Sequence, residues 1–372
     1  MYHSRPTPPP PSGKMMIYVG LFLMGIGGFL YIYNSTQDRS YKPMLEELRV
    51  MSRSGDPKAT ENWEKAVNRY NAPPVKLRFD GNSEEVEERH LADNKNALIF
   101  YDRSTYAERI NIRRNWNMGL NVNLLGVVDM HNFAIIDVLR ARRAEAVEAR
   151  KRHLAAIRTV ANWFRHDPMV ETAEHYAPTM HLYLFALEER LNNDEFSVDE
   201  LRAILAELRK DNAAYAPYFR QTLELTGQLL GALPASVEAY PQKVAQEILD
   251  ADGAEAVRLL AEYSKLLEAE YYVNAEKFAA WQVPEAADRQ ICAVLVPTSE
   301  YAVLLARLTT HNRMAQAAIM TAIGEPGAAV LTNAFTGEPL HLEMSDQWIT
   351  VSTTEFAPGD ATRFRIPIRF AK

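Results

Sequence analysis

The stretch Ser197-Val-Asp-Glu-Leu-Arg-Ala-Ile-Leu-Ala-Glu-Leu208 decides the fold class of this chain. Its first and fourth residues, Ser197 and Glu200, form a capping box, in which each side chain bonds a free backbone N–H at a helix start. Behind the box, apolar residues recur at helical spacing, namely Val198, Leu201, Ile204, Leu205 and Leu208. This spacing predicts an amphipathic helix with one face in a core.

Helix signals continue on both sides of this stretch. Asp56-Pro57 and Asp167-Pro168 each place a capping aspartate before a first-turn proline. Residues 104–165 lack proline and predict one or two long helices. An apolar stripe predicts another helix from Gly253 to about Trp281, and a further helix from Ser299 to Ile323. The middle of the chain is therefore predicted to be a multi-helix bundle.

The period changes from helical to alternating after Gly327. Leu340, Leu342 and Met344 alternate with polar residues, and a second strand is predicted from Gln347 to Thr353. Beyond it, apolar and basic residues alternate from Arg363 to Phe370, and Pro367 places that strand at a sheet edge. We therefore expect a mainly α chain that ends in a small antiparallel β-sheet packed against helices.

The N-terminal region contains one apolar segment of membrane-spanning length. No charged residue occurs from Met15 to Thr36, and Met15–Tyr33 is apolar or aromatic almost throughout. A helix rises about 1.5 Å per residue, so this run spans a hydrocarbon core of about 30 Å. The apolar run is longer than that of a signal peptide, and no small-x-small cleavage site follows it. The sequence thus predicts an uncleaved, single-pass transmembrane helix.

These signals divide the chain into five parts. Residues 1–14 form a proline-rich disordered tail, and residues 15–36 form the transmembrane anchor. Membrane-proximal helices and a connector follow in 37–96, then the helical bundle domain in 97–326 and the β element in 327–372. The basic residues before the anchor favour a cytoplasmic N-terminus, so we expect the main domain to face outward.

Composition excludes several classes of function. The formal net charge of -7 gives no reason to expect a polyanionic partner, since nucleic-acid binders usually carry an excess of Lys and Arg on one face. No nucleic-acid partner is therefore expected. The single cysteine, Cys292, rules out an intrachain disulfide and a cysteine-based zinc cluster. The usual nucleophile-elbow and phosphate-loop motifs are absent, and no cofactor is predicted.

The segment Asn333-Ala-Phe-Thr-Gly-Glu-Pro-Leu340 resembles the Asp-Pro-Phe-Thr-Gly-x-Pro-Leu box of type II secretion pseudopilin-like bacterial membrane proteins. In that group an N-terminal membrane helix precedes a periplasmic domain whose C-terminal hairpin begins with this box. The likeness covers about 40 residues, and Asn333 and Ala334 replace the usual Asp-Pro. It implies a bacterial envelope setting, with the anchor in the inner membrane and the main domain periplasmic.

Two groups of polar residues are candidates if the chain is an enzyme. Glu171, Glu174 and His175 share a helical face, and Glu-x-x-x-His pairs can hold a divalent metal. Asp129 and His131 lie on an otherwise apolar stretch, where buried polar residues sometimes line a pocket. For both groups the sequence favours structural or surface roles, so no catalytic residue, metal ligand or cofactor ligand is assigned.

The sequence therefore favours a membrane-anchored envelope scaffold or adaptor that works through protein–protein contacts without catalysis. Other envelope proteins are its expected partners, and homo-oligomers remain open. Clustered aromatic residues are candidates for docking or for the core, namely Tyr215, Tyr218, Phe219, Tyr271, Tyr272, Phe278 and Trp281. The alternatives are a membrane-tethered hydrolase or metal-binding enzyme, and a sensor domain that binds a small ligand.

Overall fold

The computed structural model describes seven ranges of the chain: residues 55–72, 84–111, 125–166, 170–232, 243–284, 296–353 and 363–368. Within its helices the side chains of 125–128, 170–173, 229–232 and 243–252 are not described. The predicted tail and anchor, the Asp167-Pro168 cap and Cys292 lie outside these ranges. None of the described helices is long and apolar enough to cross a membrane.

The described residues are mainly helical. The helices, in chain order, are α1 Pro57–Val67, α2 Glu84–Asp93, α3 Lys95–Asp102, α4 Leu125–Arg143, α5 Val147–Arg165, α6 Val170–Asn192, α7 Val198–Ala232, α8 Lys243–Leu266, α9 Ala275–Ala279 and α10 Ser299–Ala322. Short 3₁₀ helices occupy Tyr271–Val273 and Ala328–Val330. A three-stranded sheet follows, with β1 His341–Met344, β2 Trp348–Ser352 and β3 Arg363–Pro367.

Two helix starts have the predicted caps. The Asp56 carboxylate accepts a hydrogen bond from Ala59 N at 2.7 Å, and Pro57 is the first residue of α1. At the start of α7, Ser197 N donates to Glu200 Oε2 at 2.7 Å and Glu200 N donates to Ser197 Oγ at 3.3 Å. The capping box is therefore formed in both directions, as the sequence predicts.

Three predicted helix bounds are wrong. The helix expected from Gly253 to Trp281 starts ten residues earlier, at Lys243, and ends at Leu266. Gly253 lies inside it, and no described atom lies within 4 Å of a Cβ added at this position. In the range 104–165, residues 104–111 are not helical. The rest of that range contains two long helices, α4 and α5, which agrees with the prediction of one or two, and they are separated by a break at 144–146.

The C-terminal sheet is antiparallel, as predicted, and its strand order is β1-β2-β3. Ile349 and Val351 of β2 pair with Ile366 and Phe364 of β3, and all four side chains are buried. Pro367 belongs to β3, which is an edge strand, so its missing amide donor costs no ladder bond inside the sheet.

Helix α10 lies at the centre of the fold. It packs against α6 and α7 on its bundle sides and against β2 and β3 on its sheet side. Most of its residues are buried, and many are alanines, which let neighbouring elements approach closely. A helix that is covered all round needs apolar or small residues on every face. The two helices α6 and α10 therefore link the bundle to the sheet.

Candidate functional site

Helix α4 directs the side chains of Asp129 and His131 toward different neighbours. Residues two apart do not share a helix face, so the two groups cannot meet on a regular helix. Asp129 is half-buried and lies near Tyr70, whose pKa is raised first by burial and then by the Asp129 charge. Burial also raises the pKa of Asp129 itself to about 6.

His131 instead contacts α6. Its Nδ1 lies 3.0 Å from the Thr179 hydroxyl oxygen, and that hydroxyl lies 2.9 Å from the His175 carbonyl oxygen. Because a carbonyl only accepts, the Thr179 hydroxyl donates to it and accepts from the His131 Nδ1–H. His131 therefore holds α4 and α6 together, and the structure does not bring it to Asp129.

The second group is also divided. Glu174 is exposed, whereas His175 is half-buried and stacks on the Phe164 ring with centroids 5.7 Å apart. Burial lowers the pKa of His175. The side chain of Glu171 lies outside the described part of the chain. Over the described residues, no three His, Cys, Asp or Glu side chains are grouped to hold a metal ion.

A buried carboxylate connects α3, α4 and α5. Asp137 is fully buried, and its Oδ2 accepts a hydrogen bond of 2.5 Å from the Tyr101 hydroxyl. Its Oδ1 lies 2.9 Å from His153 Nδ1 and 3.4 Å from Arg140 Nη1. Arg140 also bonds Asp102 with two nitrogens, at 2.6 and 2.8 Å. Asp137 thus has three donors, which is what a buried carboxylate requires.

A second buried carboxylate joins α5 to α7. Asp211 is 1% exposed and accepts hydrogen bonds from Arg158 Nε at 3.0 Å and Nη2 at 2.9 Å. Arg165 lies 3.4 Å from the same carboxylate, and Glu207 also pairs with Arg158. These ionic groups are satisfied within the protein, which is the arrangement of a structural clamp.

The structure also pairs two histidines that lie far apart in the sequence. His181 on α6 and His311 on α10 stack with ring centroids 5.5 Å apart, and their Nδ1 atoms are 3.2 Å apart. Burial lowers the pKa of His181 to about 4 and lowers that of His311 well below its ordinary value. No local signal in the sequence pairs His181 with His311, which lies 130 residues away.

The predicted aromatic cluster belongs mostly to the core. Tyr215, Phe219 and Phe278 are at most 2% exposed. Tyr272, in contrast, is 45% exposed, and its ring lies over Gly337, where an added Cβ would meet the ring at 3.0 Å. Of this set, Tyr272 therefore offers the clearest surface for contact.

Strand β1 is exposed along its whole length. Leu342 is 37% exposed and Met344 is 58% exposed, and nearby Val330 is 77% exposed. Leu342 pairs with Val351 and Met344 with Ile349, so their side chains lie on the apolar face of the sheet. Helix α10 packs against β2 and β3 on this face, and β1 extends beyond that cover.

No protein-family model matches the chain, and neither a curated protein nor a solved structure matches it.

Proposed function

We propose that this chain is a membrane-anchored envelope scaffold or adaptor that acts through protein–protein contacts and performs no catalysis. The uncharged Met15–Thr36 segment supports a single-pass anchor, and the pseudopilin-like box at Asn333–Leu340 supports a bacterial envelope setting. In this proposal the anchor lies in the inner membrane and the main domain lies outside the cytoplasm.

The uncovered apolar face of β1 is the observation that carries the proposal. Burial of large apolar side chains such as Leu342 and Met344 against a partner lowers the free energy of the complex. They continue the same face that is buried against α10 under β2 and β3. A partner that covers β1 would therefore extend a core that already exists.

Among the described residues, part of the β1 backbone is also available to a partner. Ser345 N donates to Trp348 O at 2.9 Å, which directs Ser345 toward β2. The backbone N–H and C=O groups of successive residues point to opposite sides of a strand. Leu342 and Met344 therefore direct these groups away from β2. Leu340 agrees with this alternation, since its N–H donates to Leu331 O on the outer side at 3.0 Å. The outer edge of β1 is thus covered at Leu340.

The occupant that fits this edge is an extended segment of another envelope protein. Such a segment would pair its backbone with Leu342 and Met344, as in strand addition to a sheet edge. An apolar side chain on the same face would then cover Met344. The edge offers only a few hydrogen bonds, so the apolar contact would supply most of the affinity.

Site-specific photo-crosslinking in the full-length protein, in its membrane, tests this proposal. We expect a crosslinking residue at Met344 to capture a partner protein, and the same residue at Val198 to capture none. Val198 is the matched control because it is also an exposed apolar residue, at 36%, but it lies on α7. Equal capture at both positions, or no capture at Met344, would contradict the proposal.

A paired variant separates loss of contact from loss of folding. Leu342→Lys with Met344→Lys places charges at exposed positions, where substitutions change stability by less than about 0.5 kcal/mol. We expect this variant to keep the wild-type urea midpoint and to lose the partner. Extraction at alkaline pH tests the anchor separately, because a spanning helix stays in the membrane and a peripheral protein is released.

A further inference from the structure

The paired histidines lie where the sheet packs against α6 and α10, and we call this contact the seat of the sheet. His311 is 1% exposed, and its ring contacts Phe185 of α6 at 4.9 Å and Phe364 of β3 at 5.9 Å between centroids. β3 therefore covers the His311 ring from the sheet side, and α6 covers it from the bundle side.

The hydrogen bonds of the two histidines allow only one proton between their Nδ1 atoms. His181 bonds the backbone of Leu304 in α10, and its Nδ1 faces the Nδ1 of His311. Two N–H groups cannot point at each other across 3.2 Å, so only one of the Nδ1 atoms carries a proton. The Nε2 of His311 is buried, and no described residue forms a hydrogen bond with it.

A further proton on this pair finds no hydrogen-bond acceptor among the residues that the structure describes. It would go to His311 Nε2 or would place a second proton between the Nδ1 atoms. On His311 the charged imidazolium would be buried beside Phe185 and Phe364, whereas His181 is half-buried. A buried charge without a partner is costly, so the group either stays neutral or becomes exposed to water.

A second contact holds the same strand. The Glu188 carboxylate of α6 accepts a hydrogen bond from Arg365 N of β3 at 2.8 Å. This bond uses an outward-facing amide of the edge strand, which would otherwise be open to pairing. Release of β3 would therefore break this bond and uncover His311 together.

We propose that the seat of the sheet on α6 and α10 is acid-labile, because protonation of the His181–His311 pair releases β3 and the sheet with it. This inference does not depend on the proposed function. It adds that β1, which is joined to β3 through β2, would move with the sheet.

The charged groups around the seat act in opposite directions. Arg307 of α10 carries a positive charge near His181 and opposes its protonation. Burial raises the pKa of Glu188 to about 7, against the charges of Arg363 and Arg365 on β3, while Glu189 on α6 raises it further. Glu188 therefore binds a proton more readily in the seated state, so its contribution favours seating as pH falls.

The two histidines contribute with the other sign. Their pKa is lowered in the seated state, so the released state binds protons first below the ordinary value of 6.5. Seating is thus fully favoured above that value and lost as pH falls. Between about pH 7.5 and about pH 5.5, each histidine that becomes exposed on release favours the released state by about tenfold. Glu188 opposes this change by about 20-fold over the same range.

Hydrogen exchange of the full-length protein at these two pH values, corrected for the intrinsic exchange rate, tests the proposal. The measurement is made in the Glu188→Gln variant, because the introduced amide oxygen can still accept from Arg365 N but the side chain does not titrate. We expect the opening of β2 and β3 to increase by at least about tenfold from about pH 7.5 to about pH 5.5. In the wild-type protein both histidines must become exposed for acid to favour release, and the increase should then be about fivefold, since about 100-fold is opposed by about 20-fold from Glu188.

Replacing His311 in the Glu188→Gln background removes one titrating group. We expect His311→Phe to reduce the acid-induced opening by about tenfold. His311→Gln, which keeps a donor toward His181, gives the same readout if the phenylalanine variant folds poorly. His166→Asn is the control, since it removes a half-buried histidine that follows the last residue of α5, and it should leave the opening of β3 unchanged. Equal pH dependence with and without His311, or reduced opening in acid, would overturn the proposal.

Discussion

Removing the Asp137 carboxylate should cost more stability than any surface ion pair of this protein. In Asp137→Ala the Tyr101 hydroxyl, which is fully buried, loses the acceptor that lies 2.5 Å away. His153 loses its partner as well, whereas Arg140 keeps Asp102.

The expected cost follows from these contacts. An unsatisfied buried hydroxyl costs about 1–3 kcal/mol, and loss of a hydrogen bond to a charged group adds a similar amount. We therefore expect Asp137→Ala to lower the free energy of unfolding by about 3–5 kcal/mol. Tyr101→Phe should cost less, about 1.5–3 kcal/mol, because the carboxylate keeps His153 and Arg140.

The assay is urea unfolding of the full-length protein in detergent, in which the midpoint reports stability if the slope stays constant. The control is Asp199→Ala, which removes an exposed ion pair to Arg202 at 2.9 Å and should cost less than about 1 kcal/mol. A double-mutant cycle of Tyr101→Phe with Asp137→Ala should give a coupling of about 1–3 kcal/mol. If Asp137→Ala costs no more than the control, or if the coupling is near zero, the reasoning is wrong.

Two further predictions concern a glycine and a histidine. Gly55→Ala should destabilise the protein by at least about 3 kcal/mol in thermal unfolding, because an added Cβ would lie 2.3 Å from the Ile110 carbonyl carbon. Gly253→Ala in α8 is its control and should stabilise by about 0.5–1 kcal/mol, since no described atom lies within 4 Å of the added Cβ. Burial, and then nearby cationic side chains, lower the pKa of His166 to about 4, so stability should fall as pH drops from 6.5 toward that value. We expect His166→Asn to make the fall of the urea midpoint with decreasing pH shallower. An unchanged fall would contradict the role of His166 in this pH dependence.

Local signals in the sequence were sufficient for the secondary structure of several elements. The Ser197–Glu200 capping box marks the start of α7, and Gly324 follows the end of α10 with a left-handed φ of 70°. Alternation and Pro367 gave the antiparallel sheet and one of its edge strands. These features depend on residues close in sequence, whose spacing and hydrogen bonding act before any packing.

Local signals misplaced the ends of α8. Gly253 was interpreted as the start of the helix, yet a glycine weakens a helix by only about 1 kcal/mol and packing can offset that cost. The helix therefore continues through Gly253 to Lys243 on its N-terminal side. At the other end, Asn274 Nδ2 donates a hydrogen bond of 2.9 Å to the Leu266 carbonyl oxygen at the last residue of α8. The apolar stripe in the sequence gave no signal for this end.

Only the tertiary structure decided which polar residues meet. His181 and His311 are 130 residues apart, and Tyr101 and Asp137 are 36 apart. A sequence pattern shows which face of each helix is apolar, but it does not show which helices are neighbours or how they are aligned. Those choices depend on the packing of many side chains at once, so a single polar residue carries no local mark of its partner. The sequence thus determined the mainly α class and the C-terminal strands, and helix packing decided the buried ionic network and the histidine pair.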